Sequence, residues 1–241
     1  MKFFALRNFK EISRDPLVVL FGLGFPIVLL LLLSAIQHNI PVELFEISNL
    51  APGIVVFGLS FISLFSATII SKDRSSSFLQ RLYTTPMTVS DFLFGYILPI
   101  IPIAVIQSAV CYFVAIFLGL DITLNIIFAI ILTAIISLLF IAIGLLCGSI
   151  LNDKQVGSIC GALLTNLCAW LSGVWFDLKL VGGVFEKIAH MLPFYHAVKI
   201  EQAVISGCFD GFLIDFLWVI GYTIIVFCIA IFFFVRQMKK Y

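Results

Sequence analysis

The sequence predicts an all-α integral membrane protein with six transmembrane helices, and three observations carry that prediction. Apolar residues make up 62% of the 241 positions and charged residues only 11%, against about a quarter charged in a soluble domain. Too little polar surface remains to coat a water-soluble globule, so the surplus must face lipid. The apolar residues are also gathered into runs near 17–37, 50–71, 92–119, 125–150, 156–176 and 212–235. A helix needs about twenty such residues to cross about 30 Å of hydrocarbon. These runs are too long and too uniform for barrel strands, and in lipid the helix is what satisfies every backbone group locally. The third observation is where the cations fall. With both ends inside, Lys2, Arg7, Lys10, Arg14, Lys72, Arg74, Arg81, Lys154, Arg236, Lys239 and Lys240 are cytoplasmic, and only Lys179, Lys187 and Lys199 are external. That asymmetry follows the positive-inside rule and requires an even number of spans.

Residues 1–16 form an element of their own, ahead of a single membrane domain over 17–241. At 100° per residue Ala5, Leu6, Phe9 and Ile12 share a face, with Arg7, Lys10 and Arg14 roughly opposite and Phe3 and Phe4 off the apolar side. This is the pattern of an amphipathic interfacial helix, stopped by Asp15-Pro16. Residues 17–36 are followed by Gln37-His38-Asn39 rather than a small-residue cleavage site, so the first run reads as a retained span. Between the fifth and sixth spans, 179–191 and 194–206 are too short and too charged to cross. Gly182-Gly183, Pro193 and Gly207 punctuate them, and they read as two short external or re-entrant helices.

Several function classes lose support here. Cys111, Cys147, Cys160, Cys168, Cys208 and Cys228 show no metal-ligand spacing and read as packing residues. His190 and His196 stand six apart across Pro193, and with His38 they complete the histidines, so no metal site is expected. The spans hold essentially no ionisable residue, whereas an ion-coupled carrier keeps one near mid-membrane. No GxxxxGK[ST] occurs, so the chain carries no P-loop and energy for uphill movement must come from another subunit. Gln107, Thr133, Ser137, Thr165, Asn166 and Ser172 read mainly as helix-packing groups. Gly144-x-x-x-Gly148 and Gly157-x-x-x-Gly161 allow close helix approach, within the chain or across a dimer.

The cytoplasmic connection 71–91 is the most informative stretch. Phe78, Leu79, Leu82 and Tyr83 recur at helical spacing among charges, with Ser75, Ser76 and Ser77 available as caps and Pro86 as a stop. A short amphipathic helix lying along the membrane, its apolar side toward a partner, is the physical reading.

The run Asp73-Arg74-x-x-x-x-Leu79-x-Arg81-Leu82-x-x-Thr85-Pro86-x-x-x-x-Asp91-x-x-x-Gly95 resembles the signature of the ABC type-2 permeases, the membrane subunits of ATP-binding-cassette exporters. Supporting pieces stand in order along the chain: Arg14-Asp15-Pro16, Asn49-Leu50-Ala51-Pro52-Gly53, Leu171-Ser172-Gly173-Val174-Trp175-Phe176 and Leu192-Pro193-Phe194-Tyr195. One departure is Ser75-Ser76-Ser77, where family members often carry glycine near position 77.

The resemblance implies a non-enzymatic transport subunit that binds no cofactor itself, with ATP and Mg on a cytoplasmic ABC ATPase partner. It implies a second permease subunit, homo- or heterodimeric, in the cytoplasmic membrane of a bacterium, and no nucleic acid. Residues 73–86 would be the coupling helix, with Asp73, Arg74, Phe78, Leu79, Arg81, Leu82, Thr85 and Pro86 set against the ATPase. Arg7, Phe9, Lys10, Ile12 and Arg14 of the interfacial helix would complete that contact. The first, second and fifth spans would line the route. Gly173, Trp175, Phe176, Pro193 and Tyr195 would belong to the external gate region. Compact size and short loops look closest to drug- and antibiotic-resistance permeases moving a lipophilic or amphipathic substrate. Polysaccharide, teichoic-acid and sodium exporters of the same family, a non-ABC carrier and a membrane-embedded enzyme are the alternatives.

Overall fold

The computed structural model describes residues 2–39, 43–76, 78 and 88–238, and the regular elements among them are all helical. Helix α1 is Lys2–Arg14. Asp15 then caps the next helix, its Oδ1 accepting from the Leu17 N–H at 3.0 Å, and Pro16 sits where a first-turn N–H would go unused. That helix begins as a π-helical segment, Val18–Gly24, and continues as α2, Phe25–Asn39. A single 3-10 turn, Glu43–Phe45, leads into α3, Ile47–Ser75.

The third span is two helices, α4 at Val89–Ile97 and α5 at Ile101–Phe117, where the sequence reads as one. Pro99 and Pro102 explain the break, since neither supplies an N–H to the helical ladder. The span starts at Val89 because Thr88 and Asp91 form a capping box. The Asp91 N–H donates to Thr88 Oγ1 (3.3 Å) and the Thr88 N–H to Asp91 Oδ2 (3.0 Å). Helix α6 is Asn125–Ile150. The run read as the fifth span is helical over 153–171, in three pieces: α7 Asp153–Ser158, a π segment Ile159–Leu164, and α8 Thr165–Leu171. Gly173, at φ 75°, ends it short of residue 176. Two short helices follow, α9 Leu178–Val181 and α10 Gly183–Met191, then α11 Pro193–Ser206 with Gly207 in the left-handed cap. Helix α12, Phe212–Met238, completes the chain's described part.

Among the described residues five helices are long and apolar enough to cross a membrane: Val18–Asn39, Ile47–Ser75, Val89–Phe117, Asn125–Ile150 and Phe212–Gln237. The segment 153–171 is not one of them. It reaches about 28 Å at 1.5 Å per residue, but Lys154, Gln155 and Asn166 dilute it.

Helix α3 is the hub. In its most apolar window 89% of residues are buried, against 22% for the last span and 28% for the first, which leave most of their surface to lipid or a partner. Its main neighbour is α6, and small residues make that contact possible. A Cβ on Gly144 would lie 2.5 Å from the Ser63 carbonyl oxygen, and one on Gly148 2.7 Å from that of Ala67. This glycine pair therefore serves packing within the chain. A Cβ on Gly161 would lie 3.4 Å from Leu64, an ordinary contact, and one on Gly157 would meet nothing within 4 Å.

Gly148→Ala should consequently force the two helix backbones apart, costing about 1–3 kcal/mol as overpacking does. Thermal unfolding in detergent should show a clear drop for this variant and none for Gly157→Ala. Equal melting temperatures for both would contradict the close crossing.

Candidate functional site at the two ends of the bundle

At one end, α1 is clamped onto α3 and α4. Asn8, fully buried, donates from Nδ2 to the Gly95 carbonyl at 2.9 Å. Arg7 Nη1 donates to Asp73 Oδ2 at 2.6 Å, and the Tyr96 hydroxyl donates to the same oxygen at 3.0 Å. Arg7 also pairs with Glu11 at 2.6 Å, and its guanidinium carbon lies 4.4 Å from the centre of the Phe78 ring. The Phe4 ring drops between Phe78, Phe92 and Tyr96, with centroids 6.4, 5.9 and 5.0 Å away. It occupies the space a side chain at Gly95 would need, since a Cβ there would be 2.2 Å from Phe4 Cδ1. Gly95 and Asp91, two pieces of one signature, thus have separate local jobs: a seat for Phe4 and a helix cap.

Two sequence expectations change here. The face of α1 that packs on the protein is Phe4, Asn8 and Ile12. Leu6, assigned to the apolar face, is 48% exposed, and Phe9 is half-buried. Packing against α4 selects Phe4 because its ring fills the space that a side chain at Gly95 would take. Lys10 and Arg14 are exposed, as the cationic stripe predicts. The second change concerns Asp73 and Arg74, read as the start of the coupling helix. Both belong to the last turn of α3. Asp73 is 2% exposed, and Arg74 donates to the carbonyls of Ser149 and Leu151 at the end of α6. They anchor the segment that follows instead of presenting a surface. Phe78 sits under Arg7 and beside Phe4, while Leu79, Arg81, Leu82, Thr85 and Pro86 lie outside the described residues. Ser71 Oγ donates to Asp153 Oδ1 at 3.0 Å, so α3 also grips the start of α7.

The opposite end is built by α9, α10 and α11 over the start of α3. A Cβ on Gly53 would lie 2.7 Å from Val174 Cγ2, which brings the Asn49–Gly53 and Leu171–Phe176 pieces together. Trp175 stands edge-on to Phe57 at 6.0 Å with its indole N–H buried and unpaired among the described residues. Phe176 packs on Phe185 at 6.0 Å. Pro193 starts α11 and is buried. Tyr195 lies along the His190 ring, 4.3 Å away, and with Gly173 lines a cavity of about 550 Å³. His196 fixes α11 to α12. Its Nε2 donates to the His190 carbonyl (2.8 Å), its Nδ1 lies 2.6 Å from Asp215 Oδ1, and its ring stacks on Trp218. Among the described residues no three His, Cys, Asp or Glu side chains gather into a metal site.

Sequence reasoning missed Glu201. Read as part of an external segment, it is fully buried, on α11 where that helix meets α5 and α6. The Tyr112 hydroxyl donates to its Oε2 at 2.9 Å, and Thr133 Oγ1 lies 2.7 Å from its Oε1 and 3.0 Å from the Ala129 carbonyl. Burial pushes its carboxyl up to about 8, with the two hydroxyl contacts pulling the other way. Helix α11 lies outside the five spans, yet it delivers an acid into their midst. A neutral acid suits the geometry: Glu201 O–H donates to Thr133, Thr133 to Ala129, and Tyr112 to Glu201. With a carboxylate, the single Thr133 proton cannot serve both neighbours.

An all-helical multi-pass bundle with a short basic helix clamped to one end defines the class as a polytopic membrane protein. The ABC-2 type transporter family profile matches residues 1–206, and the chain belongs to that family. It is the membrane part of a transporter and carries no nucleotide-binding motif of its own. Comparison with curated proteins gives no match.

Proposed function

We propose that the chain is the permease subunit of an ATP-driven exporter. It works as a homo- or heterodimer and is driven by a separate cytoplasmic ATPase that binds ATP and Mg. Both termini are cytoplasmic, 153–171 crosses as the fifth of six segments, and residues 77–87 contact the ATPase. The substrate is lipophilic or amphipathic. The observation that carries this reading is the clamp of Arg7 and Asn8 on Asp73 and Gly95, which brackets 77–87 on both sides. A push on that segment would reach α3, the hub, through Asp73 and α4 through Gly95, without a slack loop between. Two π-helical segments fall in the first span and in 153–171, two of the segments expected to line a route. Such segments are frequent at functional sites.

The test is reconstitution with a cognate ATPase subunit in vesicles. The chain alone should hydrolyse no ATP, and the complex should hydrolyse ATP and export. Leu79→Asp with Leu82→Asp should cut export at least tenfold while leaving the chain folded. Undiminished export from that variant would remove 77–87 from the coupling role.

A further inference from the structure

Of the three Lys and Arg assigned to the side away from α1, two line one cavity. Lys179 and Lys199 both face the space of about 550 Å³ between α9, α10, α11 and the start of α3, a size in the range of small-molecule sites. Neither lysine forms an ion pair among the described residues. Lys199 Nζ stands 5.7 Å from the Tyr195 ring, whose centroid lies 4.3 Å from that of His190. The cavity's one described carboxylate, Asp177, turns Oδ1 to the Lys179 backbone N–H at 3.0 Å and caps α9. Leu178 and Val198, both buried, supply an apolar wall.

Two ammonium groups lining one concave space make it electropositive, and an anion held there is attracted to both. A chain under positive-inside bias has few external cations to place, so their convergence on one apolar-walled cavity has a direction. We propose that this cavity binds the phosphate or carboxylate headgroup of an anionic amphiphile, with its hydrocarbon part along Leu178 and Val198. The inference rests on the exporter reading only for which side the cavity faces. Its occupant is either an anionic lipid of the surrounding leaflet or the exported molecule, and both share this headgroup chemistry.

The experiment is calorimetric titration of the full-length chain in phosphatidylcholine nanodiscs with octyl phosphate, against octanol and octyltrimethylammonium, referenced to empty nanodiscs. Octyl phosphate should bind at least tenfold tighter than either control and weaken as salt rises. Lys179→Gln with Lys199→Gln should erase that preference and leave octanol unchanged; both side chains are exposed, so the fold is not at stake. Repeating the titration in phosphatidylglycerol nanodiscs separates the sources. Loss of octyl phosphate binding there identifies a lipid headgroup as the occupant, and retention identifies a transported anion. Octyl phosphate binding no better than octanol, or indifference to the double substitution, overturns the proposal. No ATPase is present in this measurement, so its failure and that of the exporter reading remain separate results.

Discussion

Asp73→Ala should both destabilise the protein and uncouple it. The substitution removes the carboxylate to which Tyr96, 1% exposed, donates, and takes from Arg7 the buried one of its two carboxylate partners, leaving Glu11. Breaking a buried pair costs about 3–5 kcal/mol. Arg7 is 36% exposed while Asp73 is only 3% exposed in the pair, so water recovers part of that, and about 2–3 kcal/mol is the expected loss. Thermal unfolding in detergent reads the stability, and protease cleavage near Arg14 reads whether α1 has come away. The two outcomes should move together. Arg7→Leu combined with Asp73→Leu removes both charges and should recover much of the stability, since a buried pair exchanged for apolar groups is often neutral. Coupling should not recover, because the pair also fixes where α1 sits relative to 77–87. A double variant that transports normally would reduce the clamp to a packing feature.

This clamp explains a division that composition alone blurs. Asp73 and Arg74 are charged residues of α3's last turn, and in a loop they would be ordinary solvated charges. Here each crosses to another element: Asp73 to α1 and α4, Arg74 to the end of α6. The hub helix is therefore tied to three neighbours at the end where the ATPase is proposed to act. A displacement at Phe78, which touches both Phe4 and Arg7, has no compliant step before the buried core.

What the sequence made legible was whatever depends on local pattern. Apolar runs set the spans, Asp15-Pro16 set the end of α1, and Gly207 set the end of α11. Contacts between distant segments were not legible. Phe4 falls off the helical face that Ala5, Leu6, Phe9 and Ile12 suggest, because its partner is a missing side chain at Gly95 that no periodicity within α1 can reveal. Glu201 was hidden for a related reason, as a charged residue in a short segment reads as solvated. One signal did exist. Lys199 and Glu201 lie about 200° apart around a helix, so a helix with a single wet face cannot expose both. Lys199 took the water, and Glu201 took the core.

Glu201 carries the other large effect. Glu201→Gln should match wild type at pH 4.5 and below, and exceed it near neutral pH: the amide oxygen accepts from Tyr112, the amide N–H donates to Thr133, and Thr133 donates to Ala129, as the neutral acid does. Glu201→Ala should not be. It leaves the fully buried Tyr112 hydroxyl unpaired and opens a void between α5, α6 and α11, an expected loss of about 3–5 kcal/mol. The pH dependence supplies a second check, and its sign follows from the raised carboxyl. An acid whose folded value is about 8 against an ordinary 4.5 binds its proton more tightly when folded. The folded state then holds more protons than the unfolded state between those two values, so stability falls as pH rises through that window and levels above it. Wild type should lose melting temperature relative to Glu201→Gln from pH 4.5 to 8, with the difference constant outside. A flat difference across the window would mean that Glu201 is ionised throughout. The hydroxyl chain to Thr133 and Ala129 would then have to be rebuilt around a carboxylate.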